Sequence, residues 1–136
     1  MIFVVDTNVL ISALIRDSVT RKIIVSSGFD FCYPSVSFAE LERHKGMIIE
    51  RSGLGEDNFN RVLAVLMSHV KVVPYSAYSG KIGEARAVLG GIDIDDVAFL
   101  ALALSIEGSF IWSNDNHLHS QDKVKVFWTK DFLKIL

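Results

Sequence analysis

Ile2-Phe3-Val4-Val5-Asp6-Thr7-Asn8-Val9-Leu10 is the stretch whose reading decides the fold. Its first four residues are apolar without alternation, the pattern of a short strand buried on both faces. Asp6 ends that strand. Thr7-Asn8 then opens a helical pattern with apolar residues at Val9, Leu10, Ala13 and Leu14. A strand that needs cover on both sides and runs straight into a helix predicts an α/β domain.

The rest of the chain repeats this alternation. A second helix is expected over Val19–Ser27, stopped by Gly28, and a strand over Phe29–Tyr33, ended by Pro34. Ser35 or Ser37 is placed to cap a helix carrying Phe38, Glu40, Leu41 and Glu42, with Gly53 and Gly55 marking a turn. Glu56–His69 reads as an amphipathic helix with Phe59, Val62, Leu63 and Leu66 inward. Val70–Val73 is a strand stopped by Pro74, and Tyr78–Leu89 a helix ended by Gly90-Gly91. A helix from about Asp93 to Glu107 stops at Gly108 and is followed by a strand over Phe110–Trp112 and the polar run Ser113–His117. Val124–Phe127 is a last short strand and Asp131–Leu136 a short terminal helix. Strands joined through helices predict a mostly parallel sheet with right-handed crossovers, so the strand C-termini share one edge. Open α/β sheets bind their ligands at that edge.

Composition bounds the function. The 136 residues suit one domain, 1–136, with a core of its own. Half are hydrophobic, which fits a doubly covered sheet, a homo-oligomer interface, or both. The longest apolar run, Val97–Leu104, is too short to span a bilayer, so no membrane role is expected. The chain starts directly in a strand-like run with no signal-peptide pattern, and its single cysteine, Cys32, fits a reducing cytoplasm. A net charge of −2 excludes bulk electrostatic capture of nucleic acid. It leaves room for an enzyme that approaches phosphates through a bound metal.

The acids carry the chemistry. Between Ala87 and Asp122 lie Asp93, Asp95, Asp96, Glu107, Asp115 and Asp122, with no Lys or Arg among them. Asp93, Asp95 and Asp96 enter an apolar helix together, and their repulsion must be relieved by water, protonation or a cation. Asp6 and Asp115 fall just beyond strand ends, Glu40 lies a short step after the second strand, and Asp96 sits in a first helical turn. Distant segments thus bring carboxylates to one sheet edge. Oxygen donors of this kind suit Mg²⁺ or Mn²⁺, whereas Zn²⁺ asks for His or Cys at close spacing. His117 and His119, two apart, are weak as a site, and His44 and His69 stand alone. A metal held by acids can activate water, orient a phosphodiester and stabilise the leaving oxygen.

These residues carry a family resemblance. Val4-Val5-Asp6-Thr7-Asn8, Ser37-Phe38-Ala39-Glu40-Leu41, the segment from Asp96 through Ala103, and Ile111-Trp112-Ser113-Asn114-Asp115 resemble, in order, the four motifs of PIN domains. These are metal-dependent ribonucleases common among toxins of prokaryotic toxin–antitoxin pairs. The resemblance implies a PIN-like sheet of four to five strands flanked by helices in three layers. It implies Asp6, Glu40, Asp96 and Asp115 as catalytic and metal-binding residues, and Mg²⁺ or Mn²⁺ as cofactor. It further implies cleavage of RNA, a homodimer, and often a small antitoxin partner. Asn8 is expected either to orient Asp6 or simply to cap the helix, with Ser113 as a second support. Asp93 shares a helix face with Asp96 and is the expected supporting ligand, while Asp95 points about 100° away from Asp96.

Each acid also has an ordinary reading: Asp6 as a helix cap, Glu40 as a solvated helix residue, the Asp93–Asp96 group as a capped helix start, Asp115 as turn chemistry. Arg43 and Lys45 read as a solvated helix face before phosphate contacts, and Trp112 and Trp128 as core before base-stacking platforms. Two other functions stay open at this point. One is a receiver-type phosphoacceptor domain, although the first strand ends in one acid and the last leads to Trp128, where that class expects an acid pair and a Lys. The other is a non-catalytic PIN-like module that binds RNA or a protein partner.

Overall fold

The computed structural model describes residues 1–15, 19–90 and 93–136. Five strands, β1 (Ile2–Val5), β2 (Asp30–Pro34), β3 (Val70–Val73), β4 (Phe110–Trp112) and β5 (Val126–Phe127), form one sheet in the order β3-β2-β1-β4-β5. Every pairing is parallel, with Val4 opposite Cys32 on one side and Ile111 on the other. The central strand has Phe3, Val4 and Val5 fully buried, as its unbroken apolar run requires. At the edge, β3 buries Val70 and Val73 and exposes Lys71 and Val72.

The helices are α1 (Thr7–Ile15), α2 (Val19–Ser26), α3 (Phe38–Arg43), α4 (Lys45–Ser52), α5 (Glu56–Met67), α6 (Ile82–Leu89), α7 (Ile94–Ser105) and α8 (Asn116–His119). The chain steps outward from β1 through β2 to β3, then returns through α6 and α7 to β4 on the far side of β1. Right-handed connections put α1 to α5 on one face and α6 with α7 on the other. The direction of winding therefore reverses between β1 and β4, and a crevice opens at their C-terminal ends. Asp6 and Asp115 leave the sheet there. The order also differs from the 2-1-3-4-5 arrangement of receiver-type domains, which removes that alternative.

Helix α7 forms the floor of one face, lying against β1, β2 and β4. Val97, Ala98, Phe99, Leu100, Ala101, Leu102 and Ala103 are all buried, so this apolar run is core. Beneath the sheet Phe3 is surrounded by Phe29, Phe31, Phe110, Phe127 and Phe132, with ring centroids 4.8–6.0 Å away.

Several boundaries depart from the sequence reading, each for a local reason. Neither Ser35 nor Ser37 caps a helix through its side chain; they form a 3-10 turn, and the helix that follows breaks at His44 into α3 and α4. The expected helix over Tyr78–Leu89 is α only from Ile82, because Tyr75–Lys81 winds into two 3-10 turns around the buried Tyr78. Gly90 ends α6 with φ +76°; Gly91 lies outside the described residues. The last strand loses Val124 and Lys125, since the Gln121 side chain takes both the N–H and the carbonyl of Val124. The terminal helix is a 3-10 segment, Thr129–Lys134, starting early because Asp131 reaches back to accept the Trp128 N–H. Helix α8 begins inside the polar run Ser113–His117, where the sequence pattern predicts no helix, and extends to His119.

Candidate metal centre

Three acids are positioned by the same device. Each occupies the residue before a helix and spends one carboxylate oxygen on a backbone N–H of the first turn. Asp6 Oδ1 accepts from Val9 N at 2.9 Å at the start of α1. Asp93 Oδ1 accepts from Asp95 N at 3.0 Å at the start of α7, and Asp115 Oδ1 from His117 N at 3.0 Å at the start of α8. The ordinary readings of Asp6 as a cap and of the Asp93–Asp96 group as a capped helix start are therefore true, and Asp115, whose ordinary reading was turn chemistry, caps a helix too.

Ser113 ties two of these acids together. It is fully buried, its hydroxyl accepts the Asp115 N–H at 2.9 Å, and it hydrogen-bonds the Asp6 carboxylate. Asp6 is 3% exposed, and burial pushes its carboxyl up to about 7 against the opposing pull of Ser113 and the Val9 N–H. The charges of Asp96 and Asp115 push the same way. Asp96, in the first turn of α7, is raised to about 6 by burial, opposed by His117 and reinforced by Asp93 and Asp115. Asp6, Asp96 and Asp115 thus feel one another across the crevice between β1 and β4.

Glu40 approaches from the other side, in the first turn of α3. Burial raises its carboxyl, the neighbouring Thr7 hydroxyl opposes this, and Asp95 and Asp93 add to it. Its Oε1 is buried with no hydrogen-bond partner among the described residues. Thr7, fully enclosed, hydrogen-bonds Tyr33 at 2.6 Å, and the Tyr33 hydroxyl donates onward to the Ser37 carbonyl at 2.8 Å. Asp6, which Asn8 was expected to orient, is held instead by the Val9 N–H and by Ser113. Asn8 itself is exposed, and among the described residues no hydrogen bond joins it to Asp6.

Two contacts were outside the reach of sequence reasoning. Arg43 Nη2 meets Asp95 Oδ2 at 3.1 Å, so α3 supplies a cation to the group of acids that has none nearby in sequence. His117 Nδ1 lies 2.7 Å from Asp96 Oδ2, and its Nε2 lies 3.3 Å from the Leu89 carbonyl. Both ring nitrogens face acceptors, and the Asp96 bond holds the imidazole above its ordinary pKa. One donor atom each from Asp93, Asp96 and His117 fall within 4.8 Å of one another. The signal in the sequence was the i, i+2 step from Asp115, which only gains meaning once Asp115 caps α8.

The remaining residues are structural. His119 Nε2 bonds the Ser113 carbonyl at 2.7 Å, and its ring stacks on Trp128 at 3.7 Å. Trp112 is core as expected, its Nε1 donating to Thr129 at 3.0 Å, whereas Trp128 is only half-buried because it lies just past β5. Cys32 is buried and its thiol is pushed up to about 11, as suits an inert side chain.

The acids fit a hard divalent cation on two observations: carboxylates raised first by burial and further by neighbouring acids, and a Glu40 oxygen with no partner among the described residues. Known proteins place the chain in context. VapBC2 from Rickettsia felis, bound to a DNA fragment from their promoter, superposes with a TM-score of 0.71 at 16% identity, covering 94% of this chain and 98% of that one. VapBC-1 from nontypeable Haemophilus influenzae gives 0.68 at 17% identity, covering 96% and 99%. No curated protein matches by sequence. The sequence pattern of the PIN domain matches residues 4–133, nearly the whole chain, and the chain belongs to the PIN domain family.

Proposed function

We propose that this protein is a Mg²⁺- or Mn²⁺-dependent endoribonuclease of the toxin type. The observation that carries the reading is that Asp6 and Asp115 leave neighbouring strands at the crevice between β1 and β4, where the charges of Asp96 and Asp115 reach the buried Asp6 carboxyl, while Glu40 on α3 has an oxygen with no partner among the described residues. Asp6, Glu40, Asp96 and Asp115 hold the cation. When bound, it supplies polarisation of a phosphodiester and lowers the pKa of water in its shell. Ser113 keeps Asp6 and Asp115 in register, and Asp93 supports Asp96 from the same helix start. The carboxylates also repel any phosphate that arrives without a cation, which makes the metal a requirement for binding as well as for cleavage.

The likeness to the VapBC structures supports a small antitoxin partner, and the apolar surplus supports a homodimer. Exposed Val25, Val65 and Leu133 contribute to that surplus. Among the described residues no helix is long and apolar enough to cross a membrane. We place the protein in the cytoplasm, where RNA is available.

The test is cleavage of a single-stranded RNA by the purified chain with Mn²⁺ or Mg²⁺. The expected result is cleavage that EDTA abolishes and that Asp96→Asn lowers by at least 10³-fold while the protein stays folded, each factor of ten corresponding to about 1.4 kcal/mol of barrier. Full cleavage in EDTA or by the variant contradicts this mechanism. Metal binding without cleavage of any RNA favours the non-catalytic binding module.

A further inference from the structure

We propose that His117 is itself a ligand of the metal centre through Nδ1, giving that centre one nitrogen donor and a preference for Mn²⁺ and later transition ions over Mg²⁺. This rests on the metal-centre reading above and goes beyond the four carboxylates that the reading requires.

The argument starts from the ring's fixed orientation. The Leu89 carbonyl can only accept, so Nε2, 3.3 Å away, carries a hydrogen. A metal-binding histidine characteristically donates its other ring N–H to a backbone carbonyl or carboxylate, which sets the tautomer and the ring plane. Leu89, at the end of α6, supplies that carbonyl. Nδ1 faces the site and Asp96 Oδ2 at 2.7 Å, where it shares a proton with that carboxylate, and a cation bound between the two takes the place of that proton. Adjacent donors on a six-coordinate ion with ligand distances near 2.1 Å are about 3 Å apart, so this spacing is close to that of two neighbouring ligands. Asp93 completes the group, with all three donor atoms within 4.8 Å. Its Oδ1 is engaged by the Asp95 N–H, and the second oxygen remains.

The backbone holds His117 there for a reason independent of the metal. Asp115 caps α8 by accepting the His117 N–H, so one motif acid and the histidine are coupled through a single hydrogen bond. The other nearby ring is committed elsewhere: His119 stacks on Trp128 and bonds the Ser113 carbonyl. Imidazole is a good donor for Mn²⁺, Co²⁺, Ni²⁺ and Zn²⁺ and a poor one for Mg²⁺, which keeps oxygen ligands and water. A centre of carboxylates with one imidazole therefore discriminates between ions that a purely acidic centre treats alike.

The experiment is pulsed electron paramagnetic resonance of Mn²⁺ bound to the intact chain, with Mn²⁺ and Mg²⁺ affinities measured in parallel by calorimetry. The expected result is a ¹⁴N coupling in the wild-type protein that disappears in His117→Gln and persists in His119→Gln and His44→Gln. Mn²⁺ affinity falls at least tenfold in His117→Gln, and Mg²⁺ affinity less than about threefold. Mn²⁺ bound without nitrogen coupling, or a coupling removed by one of the other two substitutions, overturns the ligand role and leaves the metal-centre reading standing. Failure of the wild-type chain to bind Mn²⁺ overturns both. Should His117→Gln not fold, long-range ¹H–¹⁵N spectra of the imidazoles in the wild-type chain read the same point. Zn²⁺ then shifts the Nδ1 of one ring, assigned with the His119 and His44 variants, and a shift confined to any other ring contradicts the proposal.

Discussion

Asp6 shows how a single residue serves fold and site at opposing cost. One oxygen caps α1 and stabilises the first helical turn, while the charge sits almost fully buried beside Asp96 and Asp115. A carboxyl moved from 3.8 up to about 7 by folding binds more protons folded than unfolded between those values. Its stabilising contribution is complete below pH 3.8 and is lost as the pH rises through 7, a change of at most about 4 kcal/mol. His117, raised above its usual value by Asp96, loses its contribution in the same direction. Metal-free protein is therefore expected to be more stable at pH 5 than at pH 8, measured by urea unfolding. Asp6→Asn keeps a cap and removes the charge, so it is expected to stabilise the metal-free chain by about 1–3 kcal/mol at pH 8 and very little at pH 5. A variant destabilised equally at both pH values would show that the carboxylate acts there as a structural group alone.

At the scale of elements, continuous apolar runs made the strands legible, because only a doubly covered sheet can use Ile2–Val5 or Phe110–Trp112. What sequence could not show were features with no period. Helix α8 is four residues long, too short for a repeat to register, and its start depends on Asp115 accepting one N–H. The 3-10 turn at Ser35–Ser37 is held by the buried Tyr33 and Tyr78, and the 3-10 turns before α6 wind around Tyr78. His117 read only as weak evidence for a site because its partner Asp96 is 21 positions away, and Arg43 read as a solvated face because Asp95 is 52 away. The acids, by contrast, were legible at the ends of strands because a parallel sheet sends every such end to one edge. Two predictions belong here. Leu100→Ala, in the fully buried middle of α7, is expected to cost about 2–5 kcal/mol of unfolding free energy. Arg43→Ala breaks an exposed pair and is expected to cost less than about 1 kcal/mol in the same measurement.

The whole molecule is a sheet whose winding reverses between β1 and β4, and the proposed function rests on what collects at that reversal. Neighbouring strands deliver Asp6 and Asp115, and α7 lays Asp96 across the same crevice. Glu40 arrives from α3, beside Thr7 and Tyr33. A cation that binds only the folded chain stabilises it by about 2.7 kcal/mol at a hundred times its dissociation constant. Protons compete for the same carboxylates, so the rise in melting temperature on adding Mn²⁺ is expected to be larger at pH 8 than at pH 5. An equal rise at both would place the ion away from these acids.

The claim that four acids from separate segments hold one metal centre is tested most directly by anomalous diffraction from crystals grown with Mn²⁺. The expected result is a peak in the crevice between β1 and β4, within coordination distance of Asp6, Asp96 and Asp115 and reached by Glu40 directly or through water. A peak at any other position, or none there at saturating Mn²⁺, contradicts the account.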